Sequence, residues 1–438
     1  MGFLIAFALA VIAGLMSTLH KRDPGSAATA EYKARYGGDR WEKTIRRWIE
    51  RGFVHDGGMQ LWDEAWVKNN YADSLPKSTA LPPNTVYAWK NSTMSWIVPA
   101  YWLQKANVSL RGEFSPRLML VYNQLAIAFP AVALGYLCFL MALQLGQRLG
   151  QALTIGAGCQ LLFQTYPLSL LSYWEVQPIS ILLGFAVAFL CHESRRTSHE
   201  SFGTAGWKST TLRTVLATMT LLAEPITGGF FLLTYLVVRT VLDDRTPTPR
   251  DWMVVLVVPA VLVVLYLLWQ QAMVRAHYDS VVFVGSPIAF RVGLDGDTTY
   301  YKDQVDILLR RLPWLQTHWI APLLDWSYLN YLGFIATAAL IAYYRDTAAL
   351  QPPVRVLLAS YGLYVPLAIV FSQLVFIHPY YWNLGLLVPL TIALFCLVPA
   401  FLNLGNRLKG LPVLGTTLLA IFYAAYHARV FATVFPTR

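Results

Sequence analysis

In a chain with few charged residues, the acids and bases that remain in polar stretches are the ones available for chemistry. Asp39 sits in Gly38-Asp39-Arg40-Trp41, and Asp56 follows in His55-Asp56-Gly57-Gly58, with Asp63 and Glu64 just beyond. A carboxylate in such a place can take a proton from an attacking hydroxyl. It can equally serve the backbone: an Asp ahead of an amphipathic helix is a good N-cap, and Asp before Gly-Gly suits a turn. Glu175 lies between Trp174 and Pro178 in a short polar turn, where it either acts on substrate or is hydrated. The pair Arg310-Arg311 follows Ile307-Leu308-Leu309 in the mostly apolar segment 305–309 and precedes Leu312-Pro313-Trp314. Arginine grips phosphate bidentately, or it snorkels to lipid headgroups. Lys90 and His378 are further candidates for contact with a phosphate or pyrophosphate. Glu224 is an ionisable residue in the middle of an apolar run, a costly placement that suggests either function or a hydrogen bond propping open a helix break.

The elements that must position these residues are hydrophobic. Of 438 residues, 56% are hydrophobic and only 13% are charged. Runs such as 253–268 and 384–402 are nearly free of charge and continuous rather than alternating. A bilayer core takes roughly 20 helical residues to cross, and in lipid only helices or closed barrels satisfy their own backbone. The expected fold is therefore an all-α, polytopic transmembrane helical bundle of about ten or eleven membrane segments. The net charge of +10 is spread over loops, which points to orientation in the membrane and to anionic lipid, not to nucleic acid. The four cysteines lie in or beside apolar runs, without metal spacing or a disulfide framework.

Residues 2–19 read as a retained first span, because the charge follows the apolar run and a small-residue cleavage site is missing. The polar stretch 20–117 then contains an amphipathic helix over 40–51, with Trp41, Ile45, Trp48 and Ile49 on one face. The apolar segment 96–103 is too short to cross and belongs in the interface. Spans are expected near 118–145, 152–171, 179–192, 252–274, 329–344, 355–377, 379–401 and 411–430. A second large polar stretch covers 275–328. Short basic loops belong on the inner side. That rule holds along the whole chain if 214–242 is two short helices meeting at Glu224-Pro225 rather than one crossing, and both large polar stretches then emerge on the outer face. The sequons Asn91-Ser92-Thr93 and Asn107-Val108-Ser109 are too short to carry weight.

The chain resembles the GT-C superfamily of polytopic membrane glycosyltransferases. The stretch from Asp39 to Phe53 is similar to the first outer loop of those enzymes, where an acidic residue opens an amphipathic helix ending in Gly-aromatic. The stretch from Tyr87 to Thr93 is similar to the segment that follows. His378-Pro379-Tyr380-Tyr381-Trp382, leading to Pro389, is similar to the outer end of a late span. Asp39 stands farther from the first span than is usual in that superfamily. The resemblance implies a polyprenyl-phosphate sugar donor, a glycan or lipid-linked acceptor, and inverting transfer on the extracytoplasmic face; without an obvious sorting signal, the expected location is a bacterial inner membrane. It further implies a first-loop carboxylate, Asp39 or Asp56, as base, with Glu175 as a second acid. The oxocarbenium-like transition state of such a transfer needs cations on the leaving phosphate, for which Lys90, Arg310, Arg311 and His378 are the candidates. The cofactor is left open: a divalent metal suits the reaction, but no ligand motif is evident. The competing expectations are an O-antigen polymerase or ligase relying on late-loop arginine and histidine, a transporter built on the break at Glu224-Pro225, and a non-catalytic membrane subunit.

Overall fold

The computed structural model describes residues 38–62, 85–89, 94–165, 178–195, 206–242, 247–284, 351–370 and 379–393. The first span, Glu175, Lys90, Arg310, Arg311, His378 and the spans expected near 329–344 and 411–430 lie outside these residues. Within them the protein is predominantly helical. Three helices, Pro116–Gln144, Pro225–Leu242 and Pro249–His277, are long and apolar enough to cross a membrane.

The first helix, α1 (Gly38–Arg51), is the expected amphipathic one. Ile45 and Trp48 are fully buried, while Glu50 and Arg51 are exposed. Next, α2 (Val98–Arg111) runs beyond the short apolar segment expected, because Gln104 and Asn107 on its inner face find partners. Gln104 exchanges hydrogen bonds with the backbone of Ser115, and the Asn107 amide donates to the Glu113 carbonyl at 2.6 Å. The outer face of α2 carries the exposed Trp102, Leu103 and Leu110.

Six helices then run back and forth: α3 (Pro116–Gln144), α4 (Leu149–Thr165), α5 (Pro178–Arg195), α6 (Trp207–Ala223), α7 (Pro225–Leu242) and α8 (Pro249–His277). Their directions follow from what touches at each end. At the α1 end, the Tyr122 hydroxyl of α3 donates to the Trp96 carbonyl. There too the Ser95 hydroxyl donates to the Leu222 carbonyl at the end of α6, and Gln270 of α8 donates to the Gly58 carbonyl at 3.1 Å. At the far end, Gln144 closes α3 against the Ser194 carbonyl of α5 at 2.7 Å. The start of α6, the end of α7 and the start of α8 meet there as well.

The break expected in 214–242 is present. Glu224 is extended, at φ −153° and ψ 106°, and one of its carboxylate oxygens accepts the Thr227 amide at 2.6 Å. That bond satisfies an otherwise orphaned N–H of the first turn of α7. Pro225 opens α7 where its missing N–H costs nothing. A Cβ on Gly228 would lie 2.8 Å from the Thr220 carbonyl oxygen, so glycine lets the two helices of the hairpin close up. Glu224 thus caps a helix, and the chain doubles back to the far end.

A buried ionic network holds that far end. Arg213 of α6 is paired with Glu193 of α5 at 2.7 Å and with Asp251 of α8 at 3.0 Å. The Tyr235 hydroxyl of α7 donates to Glu193, and Arg239 donates to that hydroxyl at 3.1 Å. Asp251 also closes a capping box with Thr248 at the start of α8. Two acids face two arginines, so the charges balance where they are removed from water.

The small sheet was not foreseen from sequence. β1 (Leu61–Trp62) pairs antiparallel with β2 (Thr85–Trp89), and β2 pairs parallel with β3 (Ser280–Val284). It stitches the two large polar stretches together just beyond α8. Later in the chain, where one span was expected over 355–377, α9 (Gln351–Ser360) is separated from α10 (Val365–Val370) by a tight turn at 361–363. α11 (Pro379–Ile392) follows. Gly362 in that turn packs against α7, where a Cβ would lie 2.6 Å from the Thr234 Cβ.

Replacing Arg213 with leucine leaves Asp251 buried without its cation and Glu193 with only the more distant Arg239. Loss of one partner from a buried pair costs about 3–5 kcal/mol. The Arg213→Leu protein is expected to melt well below wild type in detergent, as followed by intrinsic fluorescence. An unchanged melting temperature would mean the network contributes nothing to folding.

Candidate functional site

The polar centre at the α1 end is built on Asp56. Helix α1 ends at Arg51, and Gly52, with φ at 103°, turns the chain back so that 53–58 fold under the helix. Trp48 anchors this return, donating its indole N–H to the Met59 carbonyl at 3.1 Å. Phe53 packs edge-on against Trp48 and stacks on Tyr101. Gly57 and Gly58 both have φ at 60°, a conformation disfavoured for residues with a Cβ. A Cβ on Gly57 would clash with the Gln270 carbonyl and lie 3.0 Å from Val274 Cγ2, so the turn lies directly on the backbone of α8.

This return places Asp56 in full burial with a donor on each oxygen. Arg47 Nε donates to Oδ2 at 2.9 Å. The Tyr278 hydroxyl, just past the end of α8, donates to Oδ1 at 2.6 Å. His55 Nδ1 lies 3.1 Å from the same Oδ1. A second guanidinium nitrogen of Arg47 donates to the Tyr278 hydroxyl at 2.9 Å, which closes a ring of charge-assisted bonds. His277, the last residue of α8, brings its ring to 4.4 Å from that of His55, centroid to centroid.

Burial works against the charge on Arg47, but the hydrogen bonds and attraction from Tyr278 and Asp56 outweigh it, and its pKa rises above the usual value. Tyr278 is raised above its ordinary 10.0, first by burial and then by its hydrogen bond to Asp56; Arg47 opposes both. The phenol therefore stays protonated and donating.

Chemically, Asp56 has no oxygen turned outward. Its partners are the accessible groups: the Arg47 side chain is 24% exposed and that of His55 34%. Among the accessible groups the Arg47 guanidinium suits an anionic oxygen ligand, and the His55 and His277 rings lie next to each other at the same centre. Asp39 stands in the first turn of α1, about two turns ahead of Arg47. Sequence reading singled out Asp56 but missed Arg47, Tyr278 and His277. Arg47 fell on the polar face of the amphipathic helix over 40–51, and His277 and Tyr278 fell in the second large polar stretch, 275–328. The one available signal was the proximity of His277-Tyr278 to the end of the apolar run.

No family model matches the chain, and neither the curated proteins nor the solved structures searched contain a significant match to it.

Two expectations follow. Gly57→Ala forces a disfavoured φ and a clash with the α8 backbone, so it should lower stability by more than the roughly 1 kcal/mol typical of a glycine change, as read by thermal denaturation. Because the folded-state pKa of Tyr278 is raised, the stability it contributes is complete below the unfolded value and declines as pH rises through the folded one. Between neutral pH and about pH 11, wild type should lose melting temperature more steeply than Tyr278→Phe.

Proposed function

We propose that this protein is a GT-C-like integral membrane glycosyltransferase, which moves a sugar from a polyprenyl-phosphate donor to a glycan or lipid-linked acceptor at the α1 end of the bundle. The observation that carries this reading is the Asp56 centre itself. It joins a helix of the first polar stretch to the entry of the second, at one end of apolar helices long enough to cross a membrane. A lipid-phosphate substrate needs that combination, with its tail in an apolar medium and its phosphate at a cationic polar edge.

In this reading all six helices α3–α8 cross the membrane, and the α1 end is extracytoplasmic. The basic residues at the far end, including Arg148, Arg195, Arg239 and Arg250, then obey the positive-inside rule. The acceptor hydroxyl attacks the anomeric carbon, the bond to the phosphate oxygen breaks, and the hydroxyl proton passes to a carboxylate. Asp56, with both oxygens occupied, positions Arg47 and His55, and Asp39 is the base. Arg47 meets the charge growing on the phosphate. Arg310, Arg311, Lys90 and His378 complete the phosphate and headgroup contacts, and Glu175 orients the acceptor.

The test is transfer of radiolabelled sugar from a panel of polyprenyl-phosphate donors in membranes expressing wild type, Asp39→Asn or Arg47→Gln. Wild type should transfer label to a lipid-soluble or glycan acceptor. Asp39→Asn should lower kcat by about 10²-fold or more with little change in KM, whereas Arg47→Gln should affect both. Full activity in Asp39→Asn together with loss in Arg310→Ala would favour a late-loop polymerase or ligase. No transfer from any donor would overturn the proposal.

A further inference from the structure

We infer that His55 and His277 form a binding site for a divalent first-row transition-metal ion that takes imidazoles at right angles, such as Co²⁺ or Ni²⁺. Three features carry it: the contact each ring makes through Nδ1 and the tautomer that contact selects, the Nε2 left over on each ring, and the distance between the rings.

His277 Nδ1 lies 2.8 Å from the Met273 carbonyl oxygen. A carbonyl only accepts, so Nδ1 carries the proton and Nε2 holds a lone pair. His55 Nδ1 faces the Asp56 carboxylate at 3.1 Å. The Tyr278 hydroxyl spends its proton on Asp56 and Arg47 supplies the balancing charge, so here too Nδ1 is the donor and Nε2 the lone pair. Neither Nε2 takes part in a hydrogen bond among the described residues. A carboxylate behind one imidazole and a backbone carbonyl behind the other are the outer partners that metal-ligating histidines typically have, and they fix the ring orientation.

The spacing agrees. With metal–nitrogen bonds of about 2.0–2.1 Å, a coordinated ring has its centroid roughly 3.2 Å from the metal. Two rings on adjacent corners of an octahedral or square site then lie about 4.5 Å apart, centroid to centroid. The observed separation is 4.4 Å, with the ring planes at 40° to each other. His277 is exposed at the end of α8 and His55 is partly exposed, so an ion can reach both. Among the described residues no group of three or more His, Cys, Asp or Glu side chains is arranged to share a metal. As far as the described residues go, the remaining coordination positions are left to water or to an oxygen of a bound ligand. Soft or borderline ions fit a two-imidazole site, and Mg²⁺ or Ca²⁺, which demand oxygen ligands, do not.

The site is tested by titrating Co²⁺ and Ni²⁺ separately into the full-length protein in detergent, purified without a histidine tag and freed of metal. Bound metal is measured by elemental analysis after desalting. Wild type should retain one equivalent of at least one of these ions, unaffected by excess Mg²⁺. His277→Ala and His55→Ala should each weaken binding by about 10-fold or more, and the double variant should abolish it. Asp56→Asn keeps both imidazoles but removes the carboxylate charge behind His55, and should weaken binding by about 10–100-fold. His277 is exposed, so its variant should elute and melt as wild type, which separates loss of the site from loss of the fold. Wild type that retains no more metal than the double variant would overturn the inference and leave the rings as a stacked pair. No sugar donor is present, so the outcome is independent of whether the transfer reaction is found.

Discussion

A carboxylate buried away from water costs several kcal/mol unless its charge is answered. Asp56 is answered from two places far apart in the chain: Arg47 nine residues before it and Tyr278, 222 residues after it. That requirement explains much of what surrounds it. Arg47 must stand on the inner side of α1, and the buried Ile45 and Trp48 fix how the helix rolls. The return after α1 must be tight, and Gly52, Gly57 and Gly58 permit it. The end of α8 must reach the same point, and the contact of Gly57 with the Gln270 backbone sets how far it extends. The β2–β3 ladder begins two residues after Tyr278 and holds the exit of the chain beside the centre.

The far end of the helices is fixed by the same physics with different residues. Arg213, Glu193, Asp251, Tyr235 and Arg239 come from four helices and compensate one another within the protein. Each of α5, α6, α7 and α8 is therefore held by polar contacts at that end and by apolar packing along its length. The α6–α7 hairpin carries its polar residue, Glu224, at the apex, where it caps α7. Among the described residues of α3–α8, Asp, Glu, Lys and Arg are confined to the two ends and the apex.

The distribution of side chains is inverted relative to a protein that faces water on every side. α8 exposes Val261, Leu262, Val264, Leu265 and Leu268, and turns Gln270 inward. α2 buries Gln104 and Asn107 and exposes Trp102, Leu103 and Leu110. Exposed valine and leucine rows are costly in water and neutral in lipid. The Asp56 centre lies where such a surface meets the polar stretches. A molecule with an apolar tail and an anionic head would find both of its environments there.

Much of the helical architecture was legible in the sequence, because a helix is specified locally. Apolar runs of the right length, the periodicity of Ile45 and Trp48, and the Glu224-Pro225 break each depend on neighbours a few residues away. The positive-inside pattern even required the chain to double back at Glu224, which it does. Asp56 could be singled out as an acid before a glycine pair, but not its surroundings. Whether an arginine on an amphipathic helix faces solvent or a buried carboxylate depends on what lies beneath the helix, and that is supplied by residues more than two hundred positions away. The pairing of Thr85–Trp89 with Ser280–Val284 and the approach of His277 to His55 are of the same kind. Local spacing set the helices and their breaks; only the tertiary structure decided which polar side chains meet, because contacts between distant segments leave no period in the sequence.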